Sequence, residues 1–184
     1  MYFSYPPGTI SLQSSVVSKL KELFPALILH EGLITSEVLC NRLKPTVPYD
    51  DQNNKLVIID DLWSQIGQSE DFLLLTQILS RRTGLFLVVS SQNLYDKGKH
   101  SVSIRRNFTN FVLFHNFVDK SPLLTLSRQI FPGHSTNILL NCMKTIVEMN
   151  DKHYQQYIYV NAEPATKMPA CVRLATAIFE KVHE

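Results

Sequence analysis

At 184 residues, with 45% hydrophobic and 18% charged side chains, the chain can bury a sizeable core and is too apolar to be a disordered tail. A formal charge of +2 is too small to argue for nucleic acid by itself, so any such case rests on where the cations cluster. Cys40, Cys142 and Cys171 are widely spaced and form no C-x-x-C, which argues against a disulfide framework or a zinc site. No apolar run is long enough to cross a membrane and no basic-then-apolar leader opens the chain, so the expectation is a soluble, intracellular protein with no membrane partner.

Met1–Tyr5 is apolar and aromatic and is cut off by Pro6-Pro7-Gly8, as a short strand would be. Ser14 and Ser15 can start a helix through Leu23, with Val16, Val17, Leu20 and Leu23 on one face. Ala26–His30 reads as a second strand and Thr35–Leu43 as a short helix, before the polar loop Lys44–Asn54. Lys55–Asp61 follows. Its run Leu56-Val57-Ile58-Ile59 has no polar alternation, the pattern of a strand buried on both faces in a parallel sheet.

Ser69–Arg82 is a helix candidate with Phe72, Leu73, Leu75, Ile78 and Leu79 towards the sheet, and Gly84 ends it. Leu85–Ser91 is a second uninterrupted apolar strand, running into Gln92-Asn93. Lys97–Arg106 is a basic loop or short helix, and Asn110–His115 another strand. Ser121 with Pro122 starts a helix to Ile130 that Pro132-Gly133 stops, and Ser135–Met149 is a further helix. Tyr154–Val160 alternates aromatic and polar residues like an exposed or edge strand, and the tail Met168–Glu184 is compatible with either strand or helix. Strands alternating with helices predict an α/β fold with a mostly parallel sheet, in one domain spanning residues 1–184.

Asp60 and Asp61 close the central strand, and in open α/β sheets ligands sit beyond the carboxyl ends of the strands. A nucleotide hydrolase uses such a pair: Mg²⁺ takes one or two carboxylates plus substrate phosphates, and a second acid can orient the attacking water. Two carboxylates that only cap the following turn fit the sequence equally well. Gln92 ends the next apolar strand, where an amide can reach a γ-phosphate or a water, or merely start a turn. Lys97, Lys99, His100, Arg105 and Arg106 crowd one loop, either as phosphate contacts or as a solvated surface. Trp63 and Tyr95 can flank a base, though ordinary packing explains them, and His30 and His115 read as core histidines. No G-x-x-x-x-G-K-[ST] phosphate loop occurs; Gly98-Lys99-His100 lacks both its spacing and its hydroxyl.

Lys55–Asp61, Leu85–Ser101, Phe111–Phe114 and Leu126-Ser127-Arg128-Gln129-Ile130-Phe131-Pro132-Gly133 resemble the FtsK/HerA-type genome-packaging ATPases of Polinton-like and adintovirus-like elements and poxvirus-type relatives. There an I-I-D-D strand precedes one ending Q-N-L-[FY]-x-x-G-K, and L-A-R-Q-[IM]-[FY]-P-G comes later. The match in order and spacing covers residues 55–133. The resemblance implies a RecA-like P-loop NTPase core that works as a homo-oligomeric ring, binds ATP and Mg²⁺, and pumps double-stranded DNA into a capsid through its portal or vertex. It implies Asp60 as the magnesium-associated Walker B carboxylate, Asp61 as the water-activating acid, Gln92 as the polar sensor, and Arg128 within a family motif of unassigned role. The site of action it implies is the host nucleus or cytoplasm, where virions assemble. Wider relatives often carry glutamate where this chain has Asp61. The family also begins with a P-loop strand and helix, whereas Met1–Tyr5 resembles the strand after them, so the chain reads as an amino-terminally truncated core that is inactive alone. The alternative is a non-catalytic remnant or an interaction or DNA-binding module on the same core.

Overall fold

In the computed structural model the residues described are 1–9, 14–35, 37–38, 55–79, 85–116, 118–149, 156–162 and 171–173. The chain forms two compact units, Met1–Asn107 and Phe108–Glu184.

The first unit is built on a four-stranded parallel sheet in the order β2-β1-β3-β4, from β1 (Tyr2–Tyr5), β2 (Ile28–Glu31), β3 (Lys55–Asp60) and β4 (Leu85–Ser90). Helices flank it, so the α/β class and the parallel sheet read from the sequence are both present. Helix α1 (Ser14–Leu23) joins β1 to β2 and packs Val17 on one sheet face against Phe3, Tyr5, Leu29 and Ile58. Leu23, assigned by spacing to that face, is 65% exposed. The opposite face of β3 carries Val57 and Ile59, both fully buried; burying such side chains contributes roughly 1.5–3 kcal/mol each. Ser4 is also fully buried, opposite Ile59, and its hydroxyl donates to the Gly32 carbonyl, which satisfies a polar group inside the sheet.

After β3 come α2 (Trp63–Ile66) and α3 (Glu70–Leu74), the latter capped by the Ser69 hydroxyl, which accepts from Phe72 N at 3.0 Å. The long helix expected over Ser69–Arg82 then widens into a π-helix at Leu75–Leu79. Thr76 sits within it, buried, its hydroxyl donating to the Leu73 carbonyl at 2.9 Å; a threonine bonded back to the preceding turn competes with the regular ladder. Arg81, Arg82 and Gly84 lie outside the described residues; of the helix expected over Thr35–Leu43, Glu37 and Val38 are helical, and Ser36 and residues 39–43 lie outside the described residues. Helix α4 (Ser101–Arg105) follows β4 and closes the unit with Ile104 fully buried.

The second unit holds an antiparallel sheet, β5-β6-β7, of Asn110–Phe114, Tyr157–Asn161 and Cys171–Arg173. Here the structure corrects two expectations. The strand at Asn110 belongs to this sheet and runs antiparallel to its neighbour. The tyrosine-rich strand, read as exposed or edge, is central: Tyr157, Ile158 and Val160 are buried because β5 and β7 cover its two edges and α6 packs on it. Helices α5 (Ser121–Ile130) and α6 (Ile138–Met149) pack together, with Leu123, Leu126, Leu139, Met143 and Ile146 buried. The Asp119 carboxylate starts α5 by accepting from both the amide and the hydroxyl of Ser121, which holds its pKa below the usual carboxylate range. Pro132 and Gly133 (φ 84°) stop α5 as expected.

Among the described residues β4 is an edge strand with no charge and no proline, and Phe86 and Val88 are 57% and 49% exposed on one face. Uncharged apolar edges pair with other chains. The purified chain is therefore expected to associate with rising concentration in analytical ultracentrifugation, and Phe86→Lys with Val88→Lys to suppress it. A wild-type chain that stays monomeric at high concentration contradicts this.

Candidate nucleotide site at the ends of two parallel strands

Parallel pairing aligns strand ends, and here it aligns the two that matter. The register between β3 and β4 runs unbroken from Lys55 opposite Leu85 to Asp60 opposite Ser90. The chain extends the ladder one step further, with Asp61 N donating to the Ser90 carbonyl at 3.1 Å. Asp60 is half-buried and Asp61 exposed at that edge.

Asp61 is the sole non-glycine residue with positive φ among those described, at 49°. The left-handed region costs an L-residue roughly 1–2 kcal/mol, less for Asp and Asn, and such backbones concentrate at functional sites. The turn swings the carboxylate sideways onto the neighbouring strand's loop, where Gln92 Nε2 donates to Asp61 Oδ2 at 3.0 Å. Sequence reasoning named both residues and the spacing of two strand ends; the structure joins them.

The loop carrying Gln92 is ordered by its own side chains. Asn93 N donates to Ser91 Oγ at 3.2 Å, Tyr95 N to Asn93 Oδ1 at 3.0 Å, and Asn93 Nδ2 to Asp96 Oδ1 at 2.6 Å. Its far end rests on the turn after α2. His100 N donates to the Gly67 carbonyl at 2.8 Å, and the Gly98 backbone approaches so closely that a Cβ there would lie 2.7 Å from Gly67 O. Glycine at position 98 is a steric requirement of this crossing.

The basic cluster divides. Lys97, Lys99 and Arg106 are exposed and available to solvent or phosphate. Arg105 is not: it is 8% exposed, its Nη1 donates to the Leu94 carbonyl at 3.1 Å, and its guanidinium lies 4.2 Å over the Tyr95 ring. Desolvation lowers its pKa from the ordinary arginine value, and burial raises that of Tyr95 against the opposing pull of the arginine charge. Arg105 thus differs from its neighbours in the basic run: its guanidinium is engaged inside the unit, on the Leu94 carbonyl and the Tyr95 ring. Tyr95 and Trp63, the latter 3% exposed, are packing residues here. Arg128 belongs to the second unit, exposed in the last turn of α5, where a cation complements the helix carboxyl end.

Among the described residues no three His, Cys, Asp or Glu side chains gather as a metal cage. Two adjacent carboxylates are what Mg²⁺ uses when phosphates and waters complete its shell, so the donor set fits that ion with its substrate and fits poorly a tightly held structural metal. No protein-family model and no curated protein sequence matches this chain. The residues themselves therefore carry the chemical reading: a half-buried carboxylate, an exposed one fixed by its backbone, and an amide holding the second in place.

The left-handed turn makes a stability prediction. Asp61→Asn should unfold at nearly the wild-type urea midpoint, while Asp61→Ala should lose about 1 kcal/mol, because alanine tolerates that backbone poorly. Equal midpoints for the two variants would mean that the turn carries no strain.

Proposed function

We propose that the chain is part of a viral or virus-derived DNA-packaging ATPase, which couples ATP hydrolysis to movement of double-stranded DNA into a capsid. The observation that carries this reading is the Gln92–Asp61 hydrogen bond at the aligned carboxyl ends of β3 and β4. In it, Asp60 holds Mg²⁺ together with the ATP phosphates, Asp61 accepts a proton from the attacking water, and Gln92 fixes Asp61 and senses the γ-phosphate. The side-by-side parallel strands support the assignment, since they bring the Gln92 amide within hydrogen-bond reach of Asp61. The resemblance over residues 55–133 suggests double-stranded DNA as the cargo and a homo-oligomeric ring as the assembly, working in the host nucleus or cytoplasm.

The 184 residues contain no Walker A sequence, and positioning plus charge stabilisation is most of what a phosphoryl-transfer enzyme supplies. This chain alone is therefore proposed to bind ATP poorly and not to turn it over.

A second reading, a DNA-binding module without catalysis, is favoured by one observation: Lys97, Lys99 and Arg106 stand exposed on one loop and the short helix after it. It predicts DNA binding that is indifferent to nucleotide and strongly weakened by salt.

The deciding experiment asks whether the DNA upstream of the Met1 codon encodes an in-frame extension and, where it does, assays that longer chain. The expected result is a G-x-x-x-x-G-K-[ST] in frame and DNA-stimulated ATP hydrolysis, reduced at least about 100-fold in kcat by Asp61→Asn. A longer chain that contains the loop yet hydrolyses ATP equally well with Asp61→Asn contradicts the assigned role. An upstream sequence without the motif, together with nucleotide-independent DNA binding, transfers support to the second reading.

A further inference from the structure

We propose that Arg105 is a positioning residue for Gln92: reaching back from the carboxyl end of α4, it clamps the loop after β4 and thereby holds the Gln92 amide on Asp61. The functional meaning of this clamp rests on the reading of Asp61 and Gln92 as a reacting pair, but its physical content does not.

Gln92 is an exposed side chain making an exposed hydrogen bond. Such a bond competes with water, and holding a glutamine rotamer costs entropy, so the contact persists only where the backbone already delivers the amide to the carboxylate. On one side Gln92 is tied down by the end of β4, through the Ser90 carbonyl that receives Asp61 N. On the other side the ties made by Asn93 run to Ser91, Tyr95 and Asp96. They give residues 91–96 their shape, and the loop's far end, at Gly98 and His100, rests on Gly67.

Arg105 adds a constraint from α4 at Leu94, two residues from Gln92 and nearer to it in sequence than the contact at Gly67. It donates to the Leu94 carbonyl at 3.1 Å and covers the Tyr95 ring at 4.2 Å. Both contacts come from one planar group, which can stack and donate in the same pose; a lysine ammonium on its flexible stem cannot. Arg105 is 8% exposed as a residue, and a partly desolvated guanidinium is held best where it is paired, so releasing Leu94 and Tyr95 would leave its charge with fewer partners. The base of the clamp is fixed in turn, because α4 begins on the Gly67 carbonyl through His100 N. Gly67 closes α2, the helix that follows Asp61. The clamp therefore ties the Gln92 loop to the segment leaving Asp61, and the two halves of the candidate site share one frame.

The test is hydrogen exchange by NMR on the chain without nucleotide or metal. The Gln92 side-chain amide is assigned from the signals lost in Gln92→Ala. In Arg105→Met and in Tyr95→Leu, exchange of that amide and of the Tyr95 backbone amide should quicken about tenfold, with the β3 and β4 amides still protected. Arg105→Lys, which keeps the charge, should show the same loss. Unchanged Gln92 exchange in a variant whose strands stay protected overturns the proposal. If Arg105→Met does not fold, Tyr95→Leu decides alone, and equal loss of protection in loop and strands there overturns the proposal by assigning the contact to general stability. Because the readout involves no ligand, it stands or falls separately from the ATPase reading.

Discussion

Six register pairs lock β3 against β4, and the hydrogen bond from Asp61 N to Ser90 O adds one more rung just past the strand end. That ladder determines the rest. A slip of one residue would turn Val57 and Ile59, both fully buried, towards the opposite face and would carry Asp61 away from Gln92. The apolar run of β3 therefore does two jobs through one constraint: its burial fixes the register, and the register brings a carboxylate and an amide from distant parts of the sequence within 3.0 Å.

Beyond the strand ends, local chemistry takes over. Asp61 turns through a left-handed backbone, a conformation that aspartate tolerates better than most residues. Asn93 shapes the facing loop with its own amide, and Gly98 lets that loop lie directly on the turn at Gly67. These polar and glycine-dependent contacts are individually worth about 0.5–1.5 kcal/mol, small beside the burial that holds the sheet, yet they decide where the functional groups point. Stability and geometry are thus carried by different residues.

Much of this was legible in the sequence because it rests on unbroken patterns. Leu56–Ile59 and Leu85–Val89 have no polar alternation, and Pro122 and Gly133 bracket α5 where the structure starts and stops it. The less legible parts have physical causes. Tyr157–Asn161 alternates like an edge strand, but neighbours on both sides and α6 bury it, and tertiary covering leaves no mark on the strand's own pattern. Arg105 looks like its neighbours in a run of cations, and only the fold turns it inward onto Tyr95 while Lys97, Lys99 and Arg106 face water. The π-helical widening at Leu75–Leu79, with the Thr76 hydroxyl bonded back to Leu73 inside it, leaves no mark on an otherwise regular apolar spacing. The Asp60–Asp61 pair was visible as a motif; its left-handed turn was not, because no glycine or asparagine marks it.

The proposed function requires that the ends of β3 and β4 form one metal-nucleotide site. It is tested most directly by titrating the chain with Mn²⁺, a paramagnetic stand-in for Mg²⁺, and following which resonances broaden. The account predicts weak binding with broadening centred on Asp60 and Asp61, spreading to Gln92 and sharpened in selectivity when ATP is added. Broadening centred elsewhere, or none at Asp60 and Asp61 at millimolar metal, would contradict it.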